Sequence, residues 1–181
     1  MLRYLRFFPA VFGIAACGLG GSDENLADTG ENEEEEGCDS SLDCDDDLFC
    51  YREGLVSECE EIFDRQWEII IVSGTADTEY NWDLAGGAPD PYVFVRLGDD
   101  ACMTSTESDS FFPAWNESCE MVVPSGGTLE VEMYDDDVDQ SDTMLTFSAS
   151  GNDELADIVR REVLTLISDI ASVEIRFLPG F

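Results

Sequence analysis

The sequence predicts an all-β protein: an eight-stranded antiparallel β-sandwich over residues 67–181 with one short helix, preceded by an acidic disordered tether and a small cysteine-rich segment. Two observations carry this. From Trp67 onward, runs of β-branched and aromatic residues alternate with clusters of Gly, Pro, Asp and Ser, the texture of strands joined by turns. The chain of 181 residues also has room for one core-forming domain of about 100–150 residues plus appendages.

The strands expected are 67–74, 92–97, 102–106, 118–123, 128–134, 145–149, 163–168 and 173–179, enough for two four-stranded sheets. Between the sixth and seventh, residues 153–160 open on Asp153 and Glu154 and have helical composition. The pattern also allows this helix to run on through Leu166, because a short apolar run fits either structure.

Residues 1–16 carry Arg3 and Arg6, then an apolar segment too brief to span a bilayer, and read as a secretory signal. They end in Ile14-Ala15-Ala16-Cys17, which resembles the bacterial lipobox. That resemblance implies that Cys17 is lipidated and that the chain is anchored in a bacterial cell envelope through its acyl chains. Gly18 and Leu19 lack the aspartate that retains many such lipoproteins in the inner membrane, which favours the outer membrane or cell surface. Residues 17–37 are glycine-rich, polar and acidic, with a run of glutamates at 33–36 and too few apolar side chains to offset chain entropy.

The seven cysteines are odd in number. Assigning Cys17 to lipid leaves Cys38, Cys44, Cys50, Cys59, Cys102 and Cys119, enough for three disulfides in an oxidising compartment. Residues 38–61 hold too few apolar side chains for a core, so they must be bridged or lie on their neighbour. Four cysteines allow three pairings; first-to-third with second-to-fourth is favoured, though spacing does not decide it. Zinc is disfavoured there because the paired short C-x2-C spacings are missing. Cys102 and Cys119 flank one loop and read as a brace.

Charge bounds the function. There are 42 acidic residues against 8 basic ones, all arginine, for a net charge of −34. The resulting field argues against binding nucleic acid, or anionic lipid without a bridging cation. With no histidine, Ser-His-Asp and Cys-His catalysis are impossible. A binding protein is therefore expected before an enzyme.

Two long loops stand out, 77–91 after the first expected strand and 135–143 after the fifth. In a sandwich, loops after odd-numbered strands emerge at one end, which would bring Asp83, Asp90, Asp135, Asp137 and Asp142 together. Carboxylates about 5 Å apart repel by roughly 3 kcal/mol per pair at an effective dielectric near 20. A cation between them would remove that penalty, and the fitting one is Ca2+, which takes several oxygens in flexible geometry. An EF-hand is excluded, because its sixth position would be Gln140 instead of glycine and its twelfth Thr146 instead of glutamate.

The same residues resemble a C2 domain. The first calcium loop of that family is matched by Asp83-Leu84-Ala85-Gly86-Gly87-Ala88-Pro89-Asp90-Pro91-Tyr92-Val93, the approach to its fourth strand by Pro113-Ala114-Trp115-Asn116-Glu117, and its Asp-x-Asp loop by Asp135, Asp137 and the following Asp142. The resemblance covers about 67–179 and implies the second of the family's two circularly permuted topologies. It also implies Asp83, Asp90, Asp135, Asp137 and Asp142 as Ca2+ ligands, with Trp115 in the core and Asn116 holding its loop. The family often places its last loop aspartate eight positions after the first; here that is Thr143, so either Asp142 or Asp139 would serve. Strands three and four carry no Arg or Lys, unlike members that bind phosphoinositides, and the tips of the two loops offer only Leu84 and Val138. The implied function is Ca2+-dependent binding to a membrane or to another anionic partner, protein or glycan. A purely structural Ca2+ site is the alternative, and a carboxylate- or Ca2+-dependent hydrolase a distant third.

Overall fold

The computed structural model describes residues 37–82, 87–137 and 141–180. The expected signal at 1–16, Cys17 and nearly all of the tether lie outside the described residues, as do Asp83, Leu84, Val138 and Asp139. A short 3-10 turn (Ser41–Asp43) leads into a hairpin of β1 (Leu48–Glu53) and β2 (Val56–Glu61). The sandwich follows as β3 (Arg65–Ala76), β4 (Pro91–Leu97), β5 (Asp100–Met103), β6 (Glu117–Val123), β7 (Thr128–Asp135), β8 (Asp142–Ser150), α1 (Asn152–Arg160), β9 (Val163–Ile167) and β10 (Ala171–Pro179). Its sheets have the orders β6-β3-β10-β9 and β5-β4-β7-β8, with antiparallel pairing throughout.

The strands form because every second side chain is apolar and one face of each sheet is buried. On β7, Leu129, Val131 and Met133 point inward between Glu130, Glu132 and Tyr134; on β4, Val93, Val95 and Leu97 do the same. The opposite sheet answers with Trp67, Ile69 and Ile71 on β3 and Val173, Ile175 and Phe177 on β10. The helix buries Leu155, Ala156, Ile158 and Val159 along one stripe and stops at Arg160, so the longer helix that composition allowed is absent and β9 takes up Val163.

Two irregularities shift which residues face inward. On β3 the pairing with β10 skips Val72, and the buried set moves from Trp67, Ile69 and Ile71 to Gly74 and Ala76. On β8 the pairing with β7 skips Met144, so Met144 and Leu145 are buried consecutively. Each is a bulge, one extra residue that re-aims the side chains beyond it.

The cysteine-rich segment is more ordered than its composition suggested. Cys38–Cys50 and Cys44–Cys59 cross-link the turn to the hairpin. Phe49 is buried against Trp67 with ring centroids 4.7 Å apart, and Arg65 ion-pairs with Glu60 while lying over Phe49 and Tyr51. Arg160 donates to the Ser41 and Cys44 carbonyls at 2.8 and 2.9 Å, placing a cation over carbonyls that would otherwise be poorly satisfied. In the turn, the Asp43 carboxylate accepts the Ser40 and Asp39 N–H groups, which hold its carboxyl below the usual range.

Cys102–Cys119 joins β5 to β6, the edge strands of different sheets, and so closes one side of the sandwich. Glu117 adds to this closure by accepting the Ser105 N–H at 3.0 Å. The third strand is shorter than the 102–106 expected: β5 ends at Met103, although Thr104 still exchanges hydrogen bonds with Val93.

Replacing Cys102 and Cys119 together by serine is expected to lower unfolding stability by about 3 kcal/mol, as a cross-link over a loop of this length should; an unchanged urea midpoint would show that the sheet edges hold without it. Arg160→Ala should cost about 1–3 kcal/mol and accelerate amide exchange in the β1–β2 hairpin, whereas exchange raised only in the helix would separate Arg160 from the hairpin's stability.

Candidate metal centre

The inward stripe of β7 ends in an acid. After Leu129, Val131 and Met133 the next inward position is Asp135, which is 1% exposed. A carboxylate is costly to bury unless its charge is answered by donors or cations. One donor is the Asp90 N–H, 2.6 Å from Asp135 Oδ1. In return the Asp136 N–H donates to the Asp90 carbonyl at 2.9 Å. The two long acidic loops are therefore tied at their bases, and Asp90 and Asp135 sit side by side where β4 begins and β7 ends.

The register settles which face Asp142 occupies. Asp142 is the direct partner of Asp135 across β7 and β8, and directly opposed residues share a face of the sheet. The skipped residue Met144 produces this: Tyr134 pairs with Thr143, while Met133 pairs with Leu145. Without the bulge, Asp142 and Thr143 would exchange faces. Met144 is fixed there because its carbonyl accepts the Ser168 hydroxyl at 2.9 Å. Asp137 follows Asp135 by two positions just beyond the strand. Asp142 is solvent-exposed, and among the described residues no three carboxylates have oxygens within 4.8 Å of one another.

A further loop, lying between these two in sequence, belongs to this end and was not singled out in the sequence. Residues 104–116 run back along β4 and across to β3. Glu107 N–H donates to the Pro91 carbonyl, Ser110 N–H to Pro89, and Asp109 N–H to Asp90 Oδ1 at 2.6 Å. Asp109 adopts φ +54° to make that approach. The Asp136 carboxylate lies 3.4 Å from the Thr106 hydroxyl. Further on, Ala76 N–H donates to the Phe111 carbonyl, Gly74 N–H to Pro113, and Asn116 N–H to Val72. Trp115 is buried over Gly74, where an added Cβ would lie 2.8 Å from the Ser172 carbonyl and 3.2 Å from the Trp115 ring.

Tyr92 and Tyr134 stack at 5.4 Å on the outer face of the same sheet end. Burial raises the Tyr134 phenol above its ordinary range, and its hydrogen bond with Glu132 adds to the effect.

The donor set is all hard oxygen, drawn from several chain segments at one sheet end, which suits Ca2+ better than a transition metal. The alternative cluster, the sulfurs of Cys38, Cys44 and Cys59, is locked in disulfides and offers no thiolate.

Comparisons with known proteins agree with the fold. The C2 domain family model matches residues 68–161. Mouse extended synaptotagmin-3 is 36% identical over 81 residues, 44% of this chain and 9% of that protein. Extended synaptotagmin-2-A from Xenopus laevis is 37% identical over 65 residues, 35% of this chain and 8% of that protein. The chain thus spans less than a tenth of the length of these relatives. Among solved structures, the calcium-bound pair of C2 domains of extended synaptotagmin 2 shares the fold with a TM-score of 0.53 at 20% identity, covering 65% of this chain and 46% of that one. A match to the family model over more than half of the 181 residues makes this chain a member of the C2 domain family.

Proposed function

We propose that this chain is a calcium-dependent adhesive module: it binds Ca2+ between its acidic loops and, through the ion, an anionic surface. The observation that carries the reading is the Asp135 carboxylate at the end of an apolar stripe, hydrogen-bonded to Asp90 N–H and opposed in register by Asp142. Asp83, Asp90, Asp135, Asp137 and Asp142 are the proposed ligands. That a calcium-bound structure exists for the C2 domains of extended synaptotagmin 2 supports the choice of ion. Bound there, Ca2+ would supply positive charge to a repulsive face and open coordination positions for a phosphate or carboxylate oxygen of the partner.

The chain's own residues do the rest. The Asp90 N–H on the Asp135 carboxylate and the Asp136 N–H on the Asp90 carbonyl set the loop bases, and the Asp109 N–H orients the Asp90 carboxylate by donating to one of its oxygens. The negative charge of the chain repels anionic partners, and bound Ca2+ would offset it locally at these loops. A binding module is the reading we favour over a hydrolase, because the chain has no histidine for a Ser-His-Asp or Cys-His arrangement. We also propose that the expected lipidation of Cys17 anchors the module to a bacterial envelope, through the tether at 17–37.

A dissociation constant of roughly 0.1–1 mM is typical of an extracellular calcium module. At the tight end of that range, 1 mM CaCl2 stabilises the folded state by about 1.4 kcal/mol, a melting-temperature rise of about 4 °C. Calorimetry and thermal melts of the full chain should show this rise, and Asp137→Asn or Asp90→Asn should abolish it. No effect at millimolar Ca2+ would contradict the proposal. A melting shift without calcium-dependent retention on anionic vesicles or isolated envelope would reduce the ion to a structural role.

A further inference from the structure

The two sides of the sandwich are finished differently. Cys102–Cys119 closes the side formed by β5 and β6. On the other side β8 and β9 end their sheets, and an edge strand offers a row of backbone groups that a further strand can take up. Proteins blunt such edges with charge. Three of the edge strands here do so: β5 contains Asp100, β6 contains Glu117 and Glu120, and β8 contains Asp142. The remaining one, β9, reads Val163-Leu164-Thr165-Leu166-Ile167, without a charge in a chain that has 42 acidic residues. Its outward side chains are Val163, 41% exposed, Ile167, 78% exposed, and the exposed Thr165 between them.

The ladder fixes which backbone groups of β9 are left over. Ser168 N–H donates to the Ala171 carbonyl at 2.8 Å and Phe177 N–H to the Glu162 carbonyl at 2.9 Å, so hydrogen-bonded pairs bound the β9–β10 ladder at both ends. Such pairs alternate along antiparallel strands. In the observed register the bonded pairs between them are therefore Leu164 with Ile175 and Leu166 with Val173. The N–H and carbonyl groups of Val163, Thr165 and Ile167 point the other way, and among the described residues no strand but β10 pairs with β9.

Independently of bound calcium, we infer that this edge is taken up by β9 of a second copy of the chain, antiparallel about a two-fold axis at Thr165, so that two sheets become one. In that register Thr165 bonds its own counterpart and Val163 bonds Ile167 of the second copy, so every outward N–H and carbonyl of the three residues finds a partner. No carboxylate lies within the paired strands, which matters when both partners are strongly anionic. The flanks are complementary: Arg161 precedes the strand by two residues and Asp169 follows it by two, so antiparallel pairing brings each Arg161 toward Asp169 of the other copy. Arg161 is exposed, in a surface ion pair with Asp157 within its own helix turn, which costs little to exchange. Antiparallel pairing also points the two acidic-loop ends in opposite directions, and the residual repulsion between copies falls as salt screens it.

The test is sedimentation equilibrium of the full chain with Cys17→Ser, to remove any acyl anchor. A dimer should form and tighten as NaCl is raised. Thr165→Glu and Thr165→Arg each set like charges face to face across the two-fold axis, and each alone should weaken dimerisation about tenfold or more. Mixing the two variants should restore it, which a folding defect would not do. Thr165→Cys should oxidise to a disulfide-linked dimer, because a hydrogen-bonded pair sets Cα atoms about 5.5 Å apart, whereas Thr146→Cys, on the exposed face of β8, should not. A dimer insensitive to Thr165→Glu, no rescue on mixing, or equal cross-linking of Thr165→Cys and Thr146→Cys would overturn the inference. A chain that stays monomeric at about 1 mM would overturn the second copy as occupant and leave the edge to a strand of another protein.

Discussion

The structure of the acidic-loop end depends on one constraint, the burial of the Asp135 carboxylate where the inward stripe of β7 runs out. A leucine in that place would close the sandwich as an ordinary apolar cap. An acid there must be met by donors or cations, because a buried charge left unanswered costs several kcal/mol. The Asp90 N–H answers part of this demand, and in doing so fixes the base of the loop at 77–91 against that of the loop at 135–143. The loop at 104–116 is drawn in by the same logic one step out, with Asp109 N–H on the Asp90 carboxylate. Three loops far apart in sequence converge because two carboxylates need partners.

Much of this was legible in the sequence. The alternation Leu129, Val131, Met133 set β7 and its inward face, and Asp135 follows in the same phase. The Gly-, Pro- and Asp-rich segment ending in Asp90-Pro91 marked the loop opposite. The bulges were not legible, since skipping Val72 or Met144 depends on how two sheets twist against each other and leaves no local signature. For that reason the spacing left Asp142, Asp139 and Thr143 in question, whereas the register sets Asp142 opposite Asp135. The strands of residues 38–61 were missed because their pairing is held by Cys38–Cys50, Cys44–Cys59 and Phe49 on Trp67, where an isolated segment of that composition would not fold.

The two ends of the sandwich are built differently. At the start of β3, two disulfides, Arg160 and a cluster of aromatic rings consolidate the cysteine-rich hairpin on the domain. At its other end, by Ala76, the acidic loops meet, and cohesion there comes from backbone hydrogen bonds between loops. Covalent bracing is thus found away from the acidic loops, apart from Cys102–Cys119 at the sheet edge.

Calcium binding at Asp135 is tested most directly by an amide-resolved NMR titration of the chain with CaCl2. Saturating shifts are expected at millimolar Ca2+, concentrated on Asp90, Asp109, Asp135, Asp136 and Asp142 and on the loops they begin, with the β1–β2 hairpin unmoved. Shifts confined to the glutamate-rich stretch at 33–36, or none at all, would show that the buried aspartate and its neighbours form no calcium site.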